Sequence, residues 1–178
     1  RGNWEVMVRG AFYAQSVRNL LSPTAPVGNT MHIPSQELMP LWEAAQRYQA
    51  AGDSVVLIAG HRFGTGSSRD WAAKVQSILG VRAVLALSFE RIHRTNLIGM
   101  GILPLKLPAT IETIEQLAIC PGDKIVIHAQ DEQLQPRSKV LIQIKGATHN
   151  SRDAKDDDYF WAQADVQTEL EIELLRCG

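Results

Sequence analysis

The chain has 178 residues, of which 45% are hydrophobic, and its 18 basic and 19 acidic residues give a net charge of −1. This length is enough to bury one sizeable core and too short for several large domains. The balanced charge gives no overall electrostatic argument for binding nucleic acid or an anionic membrane surface. We therefore expect one domain spanning residues 1–178.

The cysteines and the first residues of the chain bear on metal binding, disulfide formation and cellular location. Cys120 and Cys177 stand far apart and in no CxxC or Cys/His spacing, so the sequence predicts neither a zinc site nor a disulfide scaffold. The chain begins at Arg1 without an initiator Met, and it shows no apolar run of membrane-spanning length. We expect a soluble, cytoplasmic protein and an excerpt of a larger one.

The first regular elements are a helix and a strand. Apolar residues recur at helical spacing from Ser35 to Ala51, and Gly52 is a suitable stop. Because proline is tolerated in a first turn but not in a helix interior, the regular helix is predicted to begin near Pro40. The apolar, largely β-branched run 55–59 predicts a strand that is buried on both faces.

The same alternation then continues along the chain. The pattern predicts a helix from about Arg69 to Leu79, a strand from Val81 to Ala86, a helix from Ser88 to Ile98 and a strand from Ile102 to Leu107. Short loops between such units indicate parallel strands with right-handed crossovers. Functional loops are then expected at the carboxyl ends of these strands.

After Pro108 the pattern changes from parallel to antiparallel units. Residues 125–127 and 139–145 are predicted as antiparallel strands that complete the sheet. Asp156–Asp158 is predicted as a solvated turn, and Thr168–Arg176 as a final helix. The fold class is therefore α/β, with a mixed, partly parallel central sheet flanked by helices.

The segment richest in chemistry is residues 60–71, where a predicted strand leads into a glycine-rich loop and then a helix. Gly64 and Gly66 permit positive φ and close approach of the backbone to a ligand. The helix predicted to begin near Ser68 directs unpaired N–H groups and its dipole at the loop. Arg69 adds a guanidinium suited to a carboxylate. This arrangement predicts an anion site.

Two phosphate-binding patterns fail in this segment. No Lys follows Gly66, as a P-loop requires, and Arg69 stands where the dinucleotide fingerprint needs a third glycine. A carboxylate ligand fits better, although phosphate stays open. For Ser67 and Ser68, spacing alone favours helix capping. The alternative is an alkoxide stabilised by the helix amides and the neighbouring guanidinium.

Residues 64–74, Gly-Thr-Gly-Ser-Ser-Arg-Asp-Trp-Ala-Ala-Lys, closely resemble the active-site loop of the aconitase and iron-regulatory protein family. The resemblance extends to residues 89–105, which begin Phe-Glu-Arg-Ile-His-Arg-Thr-Asn-Leu, and to shorter matches at residues 1–7 and 44–48. It spans residues 1–107 and is weak beyond them. Val75, Leu87 and Tyr13 depart from the family pattern, which leaves the subfamily open.

The resemblance implies a swivelling β/β/α domain that closes over a 4Fe-4S cluster held by three cysteines of preceding domains, so this chain itself is expected to bind no cofactor or metal. It implies that Ser67 is the catalytic alkoxide base, and that Ser68 and Arg69 bind a substrate carboxylate. The cluster iron would act as a Lewis acid on the departing hydroxyl group. The implied partners are a tricarboxylic acid and the upstream domains of the same polypeptide.

The resemblance implies that the full-length protein is a hydro-lyase of the tricarboxylic acid cycle, which isomerises citrate to isocitrate through cis-aconitate. A 2-methylcitrate or 2-methylisocitrate dehydratase is an open alternative, since one methyl group is worth only about 1–3 kcal/mol of discrimination. An iron-regulatory RNA-binding protein is the alternative from another class, and the near-zero net charge counts against it. A further alternative is the small subunit of an isopropylmalate isomerase. The observation that Arg1 lies inside a family motif counts against this alternative.

His93 is the remaining histidine of interest, because it lies in a predicted helix between Arg91 and Arg94. No second ligand is spaced with it as a metal site would require. We therefore predict that His93 makes a buried or interdomain hydrogen bond.

Overall fold

Helices and strands alternate through most of the chain in the computed structural model, which describes residues 3–129, 134–146 and 158–178. The helices are α1 (Trp4–Arg9), α2 (Leu41–Ala50), α3 (Arg69–Ile78), α4 (Arg91–Gly99) and α5 (Glu169–Cys177), with a 3₁₀ turn at Ile114–Leu117. The strands are β1 (Asn29–His32), β2 (Glu37–Pro40), β3 (Val55–Ala59), β4 (Val81–Ala86), β5 (Leu103–Lys106), β6 (Lys124–His128), β7 (Lys139–Lys145) and β8 (Asp158–Ala164).

Six of the strands form one mixed sheet in the order β3-β4-β5-β8-β7-β6. β3, β4 and β5 are parallel, as the alternating pattern predicted. The other neighbouring pairs are antiparallel, and β8 joins the two halves by pairing with β5. β1 and β2 form a separate antiparallel hairpin beside α2. The predicted mixed, partly parallel sheet flanked by helices is confirmed.

Two hydrophobic clusters lie on opposite faces of the parallel half of the sheet, and β4 contributes to both. Ala83 and Leu85 belong to one cluster, which also holds the inward residues of β7, β8 and α5. Val84 and Ala86 belong to the other, together with residues of α1, α2 and α3. Because side chains alternate along a strand, the four consecutive buried residues 83–86 are what burial on both faces requires, whereas Arg82 is exposed.

The structure corrects the sequence prediction at β3 and α4 and agrees with it at the start of α2. The prediction that residues 55–59 are buried on both faces is wrong: β3 is an edge strand, and all five residues are partly exposed. Residues 37–40 form β2, so α2 begins at Leu41, directly after Pro40 as expected. α4 begins at Arg91 rather than Ser88, because Glu90 caps it.

The remaining predictions for the second half hold where the structure describes the chain. The antiparallel strands and the final helix are confirmed, with Thr168 as the capping residue of α5. Of the predicted turn, Asp156 and Asp157 lie outside the described residues, and Asp158 begins β8. Within the described ranges, no helix has the length and apolar character needed to cross a membrane.

Candidate functional site

The loop between β3 and α3 lies at the carboxyl edge of the parallel strands. β3 ends at Ala59 and α3 begins at Arg69, so the loop has the strand-to-helix arrangement that the sequence predicted. Gly64 has a φ of +91°, and a Cβ there would overlap the His93 ring. Gly66 does not have a positive φ, and a Cβ there would meet nothing within 4 Å. The glycines therefore differ: Gly64 is required by packing, and Gly66 faces open space.

A second junction, between β4 and α4, supports this loop. The amide of Phe63 donates to the carbonyl of Ser88 at 2.9 Å, and the amide of Glu90 donates to the carbonyl of Phe63 at 2.9 Å. The amide of Arg62 also donates to the Ser88 hydroxyl at 2.8 Å. Carboxyl ends of adjacent parallel strands meet at one sheet edge, which is why the two junctions touch.

Ser67 and Ser68 are both exposed at the start of α3. Ser68 occupies the capping position, but its side chain makes no capping hydrogen bond. Within the described part of the chain, neither hydroxyl has a protein partner. Capping, the explanation that spacing alone favoured, is therefore not what these side chains do in this structure. Two uncommitted hydroxyls beside free helix amides can instead contact a ligand.

Arg69 lies beside the two serines and is held by three contacts. Its Nε donates to the carbonyl of Gly66 at 2.7 Å, and its Nη1 lies 3.4 Å from Oε1 of Glu90. Its own carbonyl is 3.3 Å from Nδ1 of His93. Among the described residues, nothing pairs with Nη2. The guanidinium is therefore oriented by the protein and still has one edge available for an anion.

Glu90 connects this guanidinium to α4. Its Oε2 accepts hydrogen bonds from the amides of Ile92 and His93, at 2.9 and 3.0 Å, which caps the helix. The His93 amide holds the pKa of the Glu90 carboxyl below its ordinary 4.5, and the Arg69 guanidinium and the Ile92 amide lower it further against the effect of burial. Glu90 is thus a carboxylate at neutral pH.

His93 is fully buried beneath the loop. Its Nδ1 faces the Arg69 carbonyl, its Nε2 lies 3.2 Å from Nε2 of Gln76, and its ring meets the Phe63 ring edge-on at 5.3 Å. Burial lowers the pKa of the imidazole below its ordinary 6.5. The predicted buried hydrogen bond is confirmed. No cluster of three potential metal ligands occurs among residues 3–129, 134–146 and 158–178.

Comparison with known families agrees with this geometry. The family model described as "Aconitase C-terminal domain" matches residues 1–110, which include the loop, α3 and the whole β4–α4 junction. The chain belongs to the aconitase C-terminal domain family. The family resemblance of the two motifs is therefore confirmed.

The relatives of this aconitase C-terminal domain are much longer proteins. An aconitate hydratase A of Pseudomonas aeruginosa is 38% identical over 178 residues, which is 100% of this chain and 19% of that protein. One of Legionella pneumophila is 47% identical over 145 residues, or 82% of this chain and 16% of that protein. This chain thus spans less than a fifth of the length of either relative. A 3-isopropylmalate dehydratase structure from Methanocaldococcus jannaschii covers 82% of this chain and 77% of its own, at 22% identity and a TM-score of 0.36.

Sequence reasoning missed one residue of this site in the aconitase C-terminal domain. Glu90 was recognised as part of a family motif, but no contact with Arg69 was expected from it. The predicted parallel pairing of β3 and β4, which brings their carboxyl ends together, is the signal that places the Glu90 segment near the loop. Ser67, Ser68 and Arg69 are consecutive residues at the start of α3, and Glu90 lies beside Arg69.

Proposed function

We propose that this domain supplies the base and a carboxylate-binding subsite of a hydro-lyase that isomerises citrate to isocitrate through cis-aconitate. The observation that supports this proposal most is the pair of exposed serine hydroxyls at the start of α3, which make no capping hydrogen bond and lie beside the oriented guanidinium of Arg69. Membership of the aconitase C-terminal domain family supports the reaction class. We further propose a cytoplasmic enzyme whose other domains lie in the same polypeptide.

Ser67 is proposed as the base. Its alkoxide removes a proton from a substrate carbon next to a carboxylate, and the same hydroxyl returns the proton when water adds to the double bond. A serine hydroxyl is a poor base unless its anion is stabilised. The unpaired amides of the first turn of α3 and the guanidinium of Arg69 supply the positive potential that stabilises it.

Ser68 and Arg69 are proposed to bind a substrate carboxylate. The Ser68 hydroxyl can donate one hydrogen bond, and Nη2 of Arg69 can donate another. Asp70 would oppose an anion here, but its carboxylate is paired with Lys74 at 2.9 Å. The ion pair offsets the charge of Asp70, so the positive end of the helix and the Arg69 guanidinium can still attract an anion.

The described residues do not fit a 4Fe-4S cluster. Both cysteines are exposed and free, and no group of potential metal ligands is assembled among the residues whose placement is described. We propose that a cluster is held by the remainder of the full-length protein. Departure of the substrate hydroxyl is accordingly assigned to that remainder, and this chain is assigned proton transfer and carboxylate binding.

The decisive experiment compares wild type with Ser67→Ala in the full-length protein, anaerobically reconstituted with its cluster, on citrate and on 2-methylcitrate. Loss of a general base predicts that kcat falls by about 10²–10⁴-fold with little change in KM. Ser77→Ala, at the far end of α3, is the matched control and should be unchanged. Near-normal turnover of Ser67→Ala would reject the proposed base, and the preferred substrate would decide between the two dehydratases.

A second expectation concerns the 178-residue chain produced alone. Its two hydrophobic clusters are formed from its own residues, so we expect it to fold. We also expect no hydration of cis-aconitate, because the Lewis acid is proposed to lie elsewhere in the protein. Appreciable turnover by the isolated chain would contradict that division of labour.

A further inference from the structure

We propose that Glu90 is a positioning residue for substrate binding, which holds the Arg69 guanidinium in the orientation that presents Nη2 to a substrate carboxylate. This inference rests on the proposed function of Arg69. It assigns a role in substrate binding to the second motif, residues 89–105, which the contacts above show only as support for the loop.

The first step of the argument is that Glu90 is itself rigidly placed. One carboxylate oxygen, Oε2, accepts two amides of the first turn of α4. The backbone amide of Glu90 is bonded to the Phe63 carbonyl in the active loop. A carboxylate fixed at both its backbone and its side chain can act as a stationary reference for a mobile guanidinium.

The second step is that the Arg69 backbone is fixed independently of its side chain. The Arg69 carbonyl faces Nδ1 of the fully buried His93, and the His93 ring occupies the space next to Gly64. With the backbone fixed, the long side chain of Arg69 retains its own freedom. Two contacts restrict it: Nε to the Gly66 carbonyl, and Nη1 to Oε1 of Glu90.

The third step concerns which part of the guanidinium remains. Nε and Nη1 face protein oxygens, whereas Nη2 has no partner among the described residues. A planar guanidinium held by two of its nitrogens presents the third in a defined direction. Holding the arginine in its binding orientation before the substrate arrives reduces the entropy lost on binding.

The test measures binding of propane-1,2,3-tricarboxylate, an unreactive tricarboxylic acid, to the full-length protein by calorimetry, with KM and kcat measured alongside. Glu90→Gln retains a carbonyl oxygen to cap α4 but removes the charge that faces Arg69. We expect Kd and KM to rise about tenfold, with kcat changing much less. Thermal unfolding should be nearly unchanged because the cap is retained.

The matched control is Glu171→Gln, which removes the charge from the other carboxylate that pairs with α4, through Arg94. It should lower stability and leave Kd within about twofold of wild type. If Glu171→Gln weakens tricarboxylate binding as much as Glu90→Gln, loss of α4 stability explains both, and the inference is overturned.

A double-mutant cycle separates positioning from a direct contact. If Glu90 acts through Arg69, Glu90→Gln should have no further effect on Kd in an Arg69→Ala background. Additive effects would overturn the inference, as would tighter binding by Glu90→Gln, since Glu90 would then compete with the ligand. If Arg69→Ala alone leaves Kd unchanged, the proposed role of Arg69 fails and the inference fails with it. If only Glu90→Gln is without effect, the inference fails alone.

Discussion

Glu90 and Arg94, one helical turn apart at the start of α4, make two different ion pairs. Toward α5, Nη2 of Arg94 lies 2.8 Å from Oε1 of Glu171, and the two side chains are only 7% and 15% exposed. Toward the active loop, Nη1 of Arg69 lies 3.4 Å from Oε1 of Glu90, with side chains 28% and 19% exposed. The first pair is shorter and more deeply buried, and the second is longer and partly exposed.

This difference indicates that the Arg94–Glu171 pair stabilises the fold and that the Arg69–Glu90 pair belongs to the candidate site. Arg94 makes two contacts with Glu171 and one with the carbonyl of Asp165, so its donors are used inside the protein. Arg69 keeps Nη2 unpaired within the described chain and lies beside two exposed serines. A guanidinium whose Nη1 and Nη2 are both paired inside the protein stabilises the fold, whereas one that keeps Nη2 without a protein partner can receive a ligand.

The largest effect is predicted for a substitution that breaks the buried Arg94–Glu171 pair. Arg94→Met leaves Glu171 as an uncompensated carboxylate whose pKa is held low chiefly by Arg94, and it removes the donor to Asp165. We expect the free energy of unfolding of the 178-residue chain to fall by about 3–5 kcal/mol, measured by urea denaturation.

The control for this change is the double variant Arg94→Met with Glu171→Leu. Replacing both partners by apolar side chains removes the unpaired charge, so part of the lost stability should return. If Arg94→Met costs less than about 1 kcal/mol, which is the range of an exposed pair, the contrast between the Arg94–Glu171 and Arg69–Glu90 pairs disappears.

An intermediate effect is predicted at the loop glycines. Gly64→Ala places a Cβ on a residue whose φ is +91° and presses it against the His93 ring. The free energy of unfolding of the chain should therefore fall by about 2 kcal/mol or more. Gly66→Ala is the matched control: its φ is not positive and its Cβ would meet nothing, so we expect a change within about 0.5 kcal/mol. Equal losses would show that His93 does not support the loop at Gly64.

The parallel half of the fold could be predicted because its signals are local. The run Val81–Ala86 is apolar apart from the exposed Arg82, which indicates a strand that packs against two clusters, and its flanking helices follow a helical period. The exposure of β3 could not be predicted in the same way. An apolar run of the same type indicates a strand but does not specify whether it lies at the centre or the edge of a sheet.

The candidate site could also be predicted only as far as local sequence signals reach. Contiguity in sequence placed Ser67, Ser68 and Arg69 together, and the loop glycines indicated an anion site. Sequence could not show that Ser68 leaves its capping bond unmade, because capping depends on a side-chain rotamer and not on residue type. Nor could it show the contact of Glu90 with Arg69, which joins residues 21 positions apart through the pairing of β3 and β4.

The smallest predicted effect is a pH dependence that arises from His93. Its neutral form suits the site: Nδ1–H donates to the Arg69 carbonyl, and Nε2 accepts from the Gln76 amide. Burial lowers its pKa below 6.5 more strongly than the Arg69 carbonyl and the Glu90 carboxylate raise it, and the Arg69 guanidinium lowers it further. Below pH 6.5 the unfolded chain therefore binds a proton that the folded chain does not, and stability falls.

Urea denaturation of the 178-residue chain between pH 7.5 and 5.5 tests this dependence against His93→Phe. The variant loses two hydrogen bonds and is expected to be less stable at pH 7.5. It has no imidazole to protonate, so the difference between wild type and variant should shrink as the pH falls. Glu90 does not add to the change, because its pKa lies below 4.5 and outside this window. Parallel curves would mean that His93 accepts a proton in the folded chain as readily as in the unfolded one, and its neutral form would then not be what fixes the Arg69 carbonyl.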